Sequence, residues 1–378
     1  MTVDRREFIC LASATAASLV VGRSVRAQGE ADPLAGRIVI NTLGFLHDGY
    51  GSRPQIEPST PLLLTTKRLL ADGRASGVTA LNLTISVADR FSDAAQSVRD
   101  SDGVIQRHAK DLLKVLSTAD IHRAKADNKI GIIYGFQNAA MIENDIDNVD
   151  RFADMGVRIV QLTYNTLNQL GGGSLAQGDP GLTPFGHEVV KQLNARHLIV
   201  DLSHSGRQTC LDAASASKDP IAITHTGCAA LASVPRNKTD EELRAVAEKG
   251  GYVGIYFMPF LAPGRAFNSD DVVAHINHAI KVCGEDHVGI GTDHGLADLG
   301  DMATVRKTYA ETVTERRAKG ISAPGEDPAL LPYATDLTGP QQFRVLSRKL
   351  LARGHTATQV EKVMGGNFLR FAKDVWKN

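Results

Sequence analysis

The chain has 378 residues, and its 42 basic and 42 acidic side chains leave no formal net charge at pH 7. This balance excludes the strongly basic surface that a nucleic-acid-binding protein usually presents, and the charge excess of a disordered tail. We therefore expect no nucleic-acid partner, and we look for function in local motifs rather than in bulk composition.

The amino terminus has the pattern of an export signal. Arg5 and Arg6 precede an uncharged stretch over residues 9–21, and a small-residue cleavage site ends at Ala27. The stretch is shorter than the ~20 residues that a membrane span needs, so we expect removal of residues 1–27 and no membrane anchor. The arginine pair is typical of a twin-arginine signal, with an ordinary secretory signal as the alternative. A periplasmic or secreted location follows from either reading.

Eight short runs rich in β-branched residues follow the signal and are separated by stretches with helical spacing. Most runs are almost continuously apolar, which is typical of strands buried on both faces of a parallel sheet. The predicted strands cover residues 37–41, 78–85, 129–136, 157–163, 197–203, 220–224, 251–257 and 287–292. Helical spacing is clear over residues 101–127, and TDEE at 239–242 predicts a helix N-cap followed by an acidic first turn.

Eight strand–helix units predict an α/β protein with one (β/α)8 TIM barrel over residues 28–378. A doubly wound open sheet is the alternative, but the first strand lacks the glycine-rich phosphate turn of that fold. The segments 42–62 and 296–340 are predicted to be long loops, the second containing a stretch too rich in proline and glycine for regular structure. Such loops usually cover a site.

Polar side chains follow three of the predicted strands. His204 follows the fifth strand, His225 the sixth and Asp293 the eighth. They should converge, because the catalytic face of this barrel lies at the carboxyl ends of its strands. Two imidazoles and a carboxylate suit a zinc-type ion, which would lower the pKa of a bound water to about 7. A buried, hydrogen-bonded side chain is the alternative for each histidine alone, and Ser203 and Ser205 are interpreted as capping groups.

With these motifs, the sequence resembles the renal or membrane dipeptidases, which are zinc-dependent peptidases on a (β/α)8 barrel of the metallo-dependent hydrolase type. The matching segments are DLSHSG, ITHTG, PRN at 235–237, HVGIGTD, GVRIVQLTYN and VEKVMGGNFLRF. The resemblance implies that His204 and His225 bind zinc and that Asp293 transfers a proton. It also implies that Arg236 binds the carboxylate of a small-molecule substrate.

Two further residues are expected to contact the substrate. Asn237 directly follows the carboxylate-binding arginine of the PRN motif. Tyr164 takes the place of a substrate-contacting histidine of the animal members of the family.

The first and third strands depart from the family pattern. Asn41, Leu43 and Phe45 stand where the family has a His-x-Asp pair, and Gln137 replaces a glutamate that bridges two zinc ions. A neutral amide cannot supply the negative charge that two adjacent dications need, so a two-zinc centre is not expected.

We expect one zinc ion instead, held by His204 and His225, with Gln137, Asp293 or water completing the shell. His47, Asp48 and His294 are candidates to replace the missing ligands, although ligand geometry is strict.

The sequence thus predicts a periplasmic metal-dependent hydrolase that cleaves a dipeptide or a similar small amide with a free carboxylate. One alternative is a metal-poor, catalytically inactive binding protein on the same barrel. Another is a hydrolase or lyase with one metal ion and a changed substrate. A homodimer, common among such barrels, is left open because no interface can be read from the sequence.

Overall fold

The computed structural model describes residues 31–46 and 60–377. The chain from Pro33 onward forms one compact unit. The predicted export signal lies outside the described residues. None of the helices in the part of the chain that the structure describes has the length and apolar character needed to cross a membrane.

Eight parallel strands form the barrel, and each overlaps one of the runs predicted from the sequence. They are β1 (Ile40–Asn41), β2 (Ala80–Thr84), β3 (Ile130–Phe136), β4 (Val157–Gln161), β5 (Ile199–Asp201), β6 (Ala222–Thr226), β7 (Tyr252–Ile255) and β8 (Val288–Ile290). They pair in chain order, and a 3.1 Å bond from the Thr42 N–H to the Ile290 carbonyl links the last strand to the first. The predicted (β/α)8 barrel is confirmed.

Helices follow the strands around the barrel. They are α1 (Lys67–Ala75), α2 (Phe91–Arg107), α3 (Thr118–Ala126), α4 (Asp147–Asp154), α5 (Pro184–Ala195), α6 (Arg207–Ala216), α7 (Asp240–Glu248), α8 (Ser269–Cys283), α9 (Met302–Ala318), α10 (Gln342–Ala352), α11 (Ala357–Glu361) and α12 (Asn367–Trp376). Shorter elements are 3-10 turns at Pro61–Leu64, Ala140–Ile142, Pro259–Leu261 and Gly339–Gln341, a π segment at Lys362–Gly366, and short strands at Gly44–Phe45, Leu112–Lys114 and His294–Gly295.

The helix signal at 239–242 is confirmed by a capping box. The Thr239 hydroxyl accepts from the Glu242 N–H at 3.3 Å, and the Glu242 carboxylate accepts from the Thr239 N–H at 2.9 Å. Two orphan N–H groups at the start of α7 are thereby satisfied.

Two predicted segments differ in detail. The helical stretch 101–127 is broken between α2 and α3 by Leu112–Lys114, which pairs with β3, because a short apolar run beside a sheet can be satisfied by strand bonds as well as by helix. The prediction that residues 296–340 form one long loop is wrong over Met302–Ala318, which form helix α9. Asp301 caps this helix by accepting from the N–H groups of Ala303 and Thr304, both at 3.1 Å. The proline-rich residues 321–338 have no helix or strand, as expected.

Alternate residues of the strands point into and out of the barrel, as the two-residue period of a strand requires. Those at the amino ends that point inward form one buried cluster with α12, whereas their neighbours in sequence pack against the outer helices. The inward cluster contains Ile40, Ala80, Ile133, Ile159, Ile199, Ala222 and Tyr252 together with Phe368, Phe371 and Trp376. Helix α12 therefore fills the amino end of the barrel and leaves the carboxyl ends of the strands for a site.

We expect Phe371→Ala to lower the free energy of unfolding by about 3–5 kcal/mol, because it opens a cavity in this cluster. The Phe371 ring is fully buried and lies 6.0 Å from the ring centroids of both Tyr252 and Phe368. Urea unfolding followed by circular dichroism measures the loss. Lys373→Ala, at an exposed position of the same helix, is the matched control and should stay within about 0.5 kcal/mol of wild type. Equal losses in both variants would contradict this account of α12.

Candidate active site

The buried carboxylate of Asp201 ties the ends of β5 and β6 together. Its Oδ1 accepts from the N–H and hydroxyl of Ser203 at 3.1 and 2.5 Å. The same oxygen accepts from the Thr224 N–H at 2.9 Å, and Oδ2 accepts from the Thr224 hydroxyl at 2.6 Å. The Ser203 hydroxyl in turn accepts from the His225 N–H at 3.0 Å. Burial raises the pKa of Asp201 despite these bonds. Backbone positions next to both predicted histidines are therefore held by one carboxylate.

The same contacts correct the interpretation of the two serines. Ser203 belongs to this strand-end network, and the Ser205 hydroxyl accepts from Thr163 at 3.1 Å. The N-cap of α6 is Gly206, without a side-chain cap. The predicted capping role is therefore wrong, because the helix begins after Gly206 and both serine hydroxyls are bonded to other residues.

The two predicted histidines meet at the carboxyl end of the barrel. Their ring centroids lie 5.0 Å apart, with the rings tilted by 59°, and both side chains are buried. Burial, reinforced by the charge of Arg236, holds the pKa of both His204 and His225 well below the usual value, so both rings are neutral. The His225 Nδ1 lies 3.0 Å from the Thr224 hydroxyl, while its buried Nε2 has no partner among the described residues.

Arg236 lies against His204. The residue is 2% exposed. Its Nη1 donates to the Ser203 carbonyl at 2.6 Å, and its Nη2 lies 3.1 Å from the His204 Nε2. The guanidinium carbon also lies 5.9 Å from the ring centroid of Tyr256. The predicted carboxylate-binding residue is thus rigidly held beside the two histidines.

Asn237 has a different place from the one predicted. Its amide nitrogen donates to the carbonyls of Ala232 and Phe260 at 2.7 and 2.8 Å, and its amide oxygen accepts from the Tyr256 hydroxyl. These bonds hold the loop that carries Arg236, and Asn237 is not among the side chains that line the cavity beside it.

A cavity of about 180 Å³ opens at this end of the barrel. Five residues predicted for the site line it, namely Gln137, Tyr164, His204, Arg236 and Asp293. His225 is buried and is not among the residues that line the cavity. The volume is small beside that of common ligand pockets, so it suits a compact molecule.

The segment after β8 contributes two charged residues that the sequence did not single out. Arg316 of α9 and Glu326 both line the cavity, and the guanidinium donates to the carboxylate through Nε at 3.1 and 3.2 Å and through Nη2 at 2.9 Å. Arg316 also hydrogen-bonds the Tyr164 side chain. The sequence predicted only that segment 296–340 covers a site. That prediction does not distinguish Arg316 from the nearby Arg306 and Arg317.

Asp293 lies in the cavity wall with a strained backbone. Its φ is 56°, a left-handed conformation that aspartate tolerates and that recurs at functional sites. Its N–H donates to the Leu43 carbonyl at 2.9 Å. Burial raises the pKa of Asp293 to about 7, and Arg236 and Arg316 oppose this rise. The carboxyl can therefore carry or release a proton near neutral pH.

The end of β1 is occupied by internal bonds and apolar packing. Asn41 donates to the Thr292 hydroxyl and accepts from the Thr292 N–H, both at 2.8 Å. Leu43 is buried, and Phe45 lines the cavity. His294, a proposed replacement ligand, packs against Tyr333 with ring centroids 4.6 Å apart and does not line the cavity.

The residues present do not fit the zinc centre that the resemblance implies. Gln137 donates its amide to the Thr84 hydroxyl at 2.7 Å, and both ring nitrogens of His204 are engaged, by Asn165 and Arg236. Over residues 31–46 and 60–377, the structure contains no group of three or more histidine, cysteine, aspartate or glutamate side chains that could hold a metal ion. His47 and Asp48 lie outside those ranges. The ligand set Gln137, His204 and His225 stays a prediction.

We expect Asp293→Asn to stabilise the protein at pH 8. The pKa of this carboxyl is about 7 in the folded state and about 3.9 in an unfolded chain. Between these values the folded protein keeps a proton that the unfolded chain releases, so this group lowers stability as pH rises from about 4 to 7, and the loss persists above 7. Asparagine cannot ionise. The gain should be on the order of 2 kcal/mol, because solvent in the cavity screens part of the effect.

Urea unfolding of wild type and variant at pH 4 and pH 8 measures this difference, which should vanish at the lower pH. Asp89→Asn, at an exposed position, controls for the general effect of removing a carboxylate. A difference between wild type and Asp293→Asn that does not change with pH would be evidence against the raised pKa.

Comparison with known proteins agrees with this architecture. Residues 65–321 match the model of the membrane dipeptidase family, peptidase family M19. The chain is 30% identical over 287 residues to an uncharacterised protein from the pqqA 5′ region of Klebsiella pneumoniae, covering 72% of this chain and 93% of that protein. The crystal structure of an amidohydrolase from Pseudomonas aeruginosa is similar with a TM-score of 0.79 and 34% identity, covering 92% of this chain and 99% of that one.

A metallo peptidase from Rhodobacter sphaeroides, whose crystal structure holds a phosphinate mimic of the dipeptide L-Ala-D-Ala, has the same fold. Its TM-score is 0.66 at 18% identity, covering 90% of this chain and 100% of that one. The family match begins after β1, the strand whose residues depart from the family pattern. Since the match covers most of the barrel, the chain belongs to the membrane dipeptidase family.

Proposed function

We propose that this protein hydrolyses a small amide that carries a free carboxylate, such as a dipeptide, with the carboxylate bound by Arg236. Family membership supports a metal-dependent hydrolase in general terms. The observation that carries the specific proposal is a buried guanidinium at the wall of a cavity of about 180 Å³.

The charges around the cavity favour an anionic ligand. Arg316 is neutralised by Glu326, whereas the two close bonds of Arg236 are to a neutral carbonyl and a neutral imidazole. The positive charge of Arg236 is therefore left without a directly bonded counter-ion. A guanidinium presents N–H groups in a planar fork that matches a carboxylate, and such charge-assisted bonds are stronger than neutral ones.

Asp293 supplies the proton chemistry that amide hydrolysis needs. Water adds to the amide carbonyl carbon, the carbon–nitrogen bond breaks, and the departing amine takes up a proton. A carboxyl with a pKa of about 7 can accept a proton from the attacking water and return it to the amine at neutral pH. A metal ion would activate that water in other members of the family; because the described residues do not fit one, no step is assigned to it.

Binding without catalysis is the second candidate function. It is favoured by the hydrogen bonds that engage Gln137 and both nitrogens of His204, and by the Asn41–Thr292 pair at the end of β1. On this reading the barrel retains the carboxylate-binding arginine and presents it to a small ligand that leaves unchanged.

Location and assembly are proposed from the sequence alone. The twin-arginine pattern at Arg5 and Arg6 supports export to the periplasm. Comparing the masses of the periplasmic and cytoplasmic forms tests the cleavage, and light scattering of the purified protein determines whether it is a monomer or a homodimer.

The test of function uses L-Ala-D-Ala as probe, because the related Rhodobacter peptidase binds a mimic of it. Hydrolysis is measured by release of alanine and binding by calorimetry, each before and after chelation with EDTA and after adding Zn²⁺. Turnover that chelation abolishes would establish metal-dependent hydrolysis, and binding without turnover would establish the second candidate. If the dipeptide is neither bound nor cleaved under any of these conditions, both proposals are wrong for dipeptides.

We expect Arg236→Lys to weaken binding of the dipeptide by about tenfold or more, because an ammonium cannot make the paired bonds of a guanidinium. The dipeptide with its carboxyl amidated should bind wild type and variant alike. Arg306→Lys, an exposed arginine of α9, is the matched control. An equal loss of affinity for the free and the amidated dipeptide would show that Arg236 does not read the carboxylate.

A further inference from the structure

We propose that His204 is a positioning residue: its Nε2 accepts a hydrogen bond that orients Arg236, and it does not serve as a metal ligand. This assignment goes beyond the proposed function, because it holds whether the ligand is cleaved or only bound. It rests on the proposed function only in the one assay that uses the dipeptide.

The side chain of Asn165 determines which ring nitrogen of His204 carries the proton. The Asn165 Nδ2 donates to the Ile321 carbonyl at 3.0 Å, so its Oδ1 is the atom that faces His204 Nδ1 at 2.7 Å. An amide oxygen only accepts, so the hydrogen-bond network assigns the proton to Nδ1. The neutral ring then has one in-plane lone pair left, on Nε2.

That lone pair is already used by Arg236. The Nη2 of Arg236 lies 3.1 Å from Nε2, and a guanidinium is a donor only. A metal ion bound by His204 would need the same lone pair and would lie beside the guanidinium, where two positive charges repel each other in a buried site. Arg236 and a metal ion are therefore alternatives at His204, and the structure has the arginine.

The bond to His204 also gives Arg236 its direction. Nη1 is held by the Ser203 carbonyl at 2.6 Å, so two acceptors at adjacent positions of one chain segment fix the plane of the guanidinium. A guanidinium has five N–H donors, and two bonds to the protein leave donors for the carboxylate of a ligand. Without the acceptor on His204, the guanidinium could rotate about its Ser203 contact.

The His204 ring is itself held from the segment after β8. The Tyr164 ring stacks on it with centroids 4.2 Å apart and planes 21° from parallel, and Tyr164 is hydrogen-bonded to Arg316, which pairs with Glu326. The bond from Asn165 to Ile321 is a second link to the same segment. Residues 316–326 thus act on Arg236 through His204 without touching it in the contacts described.

The test compares His204→Gln with His204→Phe in the full mature chain. Glutamine can place an amide oxygen near the position of Nε2, whereas phenylalanine keeps the ring and its stacking with Tyr164 but has no acceptor. The first readout is the signal of the Arg236 Nη2–H group, the one that faces His204, in proton–nitrogen NMR, assigned by its loss in Arg236→Lys. We expect a protected signal in wild type and His204→Gln and its loss in His204→Phe.

The second readout is the tautomer of His204, from the nitrogen chemical shifts of the wild-type ring. We expect the proton on Nδ1 and no change on adding one equivalent of Zn²⁺. Affinity for L-Ala-D-Ala should fall about tenfold in His204→Phe and no more than about threefold in His204→Gln. The two NMR readouts need no ligand, so they still decide the role of His204 if the dipeptide does not bind.

Three outcomes would overturn the proposal. One is a protected Nη2–H signal of Arg236 that survives in His204→Phe. Another is binding of Zn²⁺ by the wild-type chain, measured by elemental analysis after dialysis, that shifts the His204 resonances and is lost in His204→Phe. The third is equal loss of the Arg236 Nη2–H signal in both variants, provided that the melting temperature of each equals that of wild type. The acceptor at position 204 would then not be what holds the arginine.

Discussion

The site depends on one buried carboxylate. Asp201 accepts four hydrogen bonds from Ser203 and Thr224, at a place where the register of β5 and β6 contains a single residue pair, Asp201 with Ala222. Side-chain hydrogen bonds therefore join β5 to β6 here, whereas backbone hydrogen bonds join neighbouring strands elsewhere in the barrel. Removing the carboxylate would leave the buried donors of Ser203 and Thr224 unsatisfied, directly before both histidines in the chain. The hydrogen bonds of Asp201 and Ser203 therefore fix the backbone positions of His204 and His225.

The electrostatics of the cavity follow from this packing. Buried imidazoles beside Arg236 stay neutral, and Asp293 binds its proton more tightly than an exposed aspartate does. The two direct hydrogen-bond partners of the Arg236 guanidinium are thus a neutral carbonyl and a neutral imidazole rather than carboxylates. An enclosed positive charge of this kind favours a small anion and disfavours a metal cation.

Stability and function are separated along the barrel axis. At the amino end, the aromatic residues of α12 fill the interior and make the barrel a packed core. At the carboxyl end, loops supply the cavity wall, and the segment after β8 contributes Arg316 and Glu326. The hydrogen bonds from this segment to Tyr164 and Asn165 place its residues in contact with the site without using the barrel core.

The sequence by itself determined the barrel and the convergence of His204, His225 and Asp293, because each lies at or just beyond the carboxyl end of a buried strand and parallel strands in a ring bring those ends together. Motif order likewise identified Arg236. Only the tertiary structure decided how these groups are bonded. It shows that Arg236 donates to His204, that Asn237 holds its own loop, that His225 does not line the cavity, and that Arg316 and Glu326 join the site. Strand periodicity specifies the position of a residue along the barrel, whereas its hydrogen-bond partner depends on loop conformations and on contacts between residues more than a hundred positions apart, such as Asn165 and Ile321.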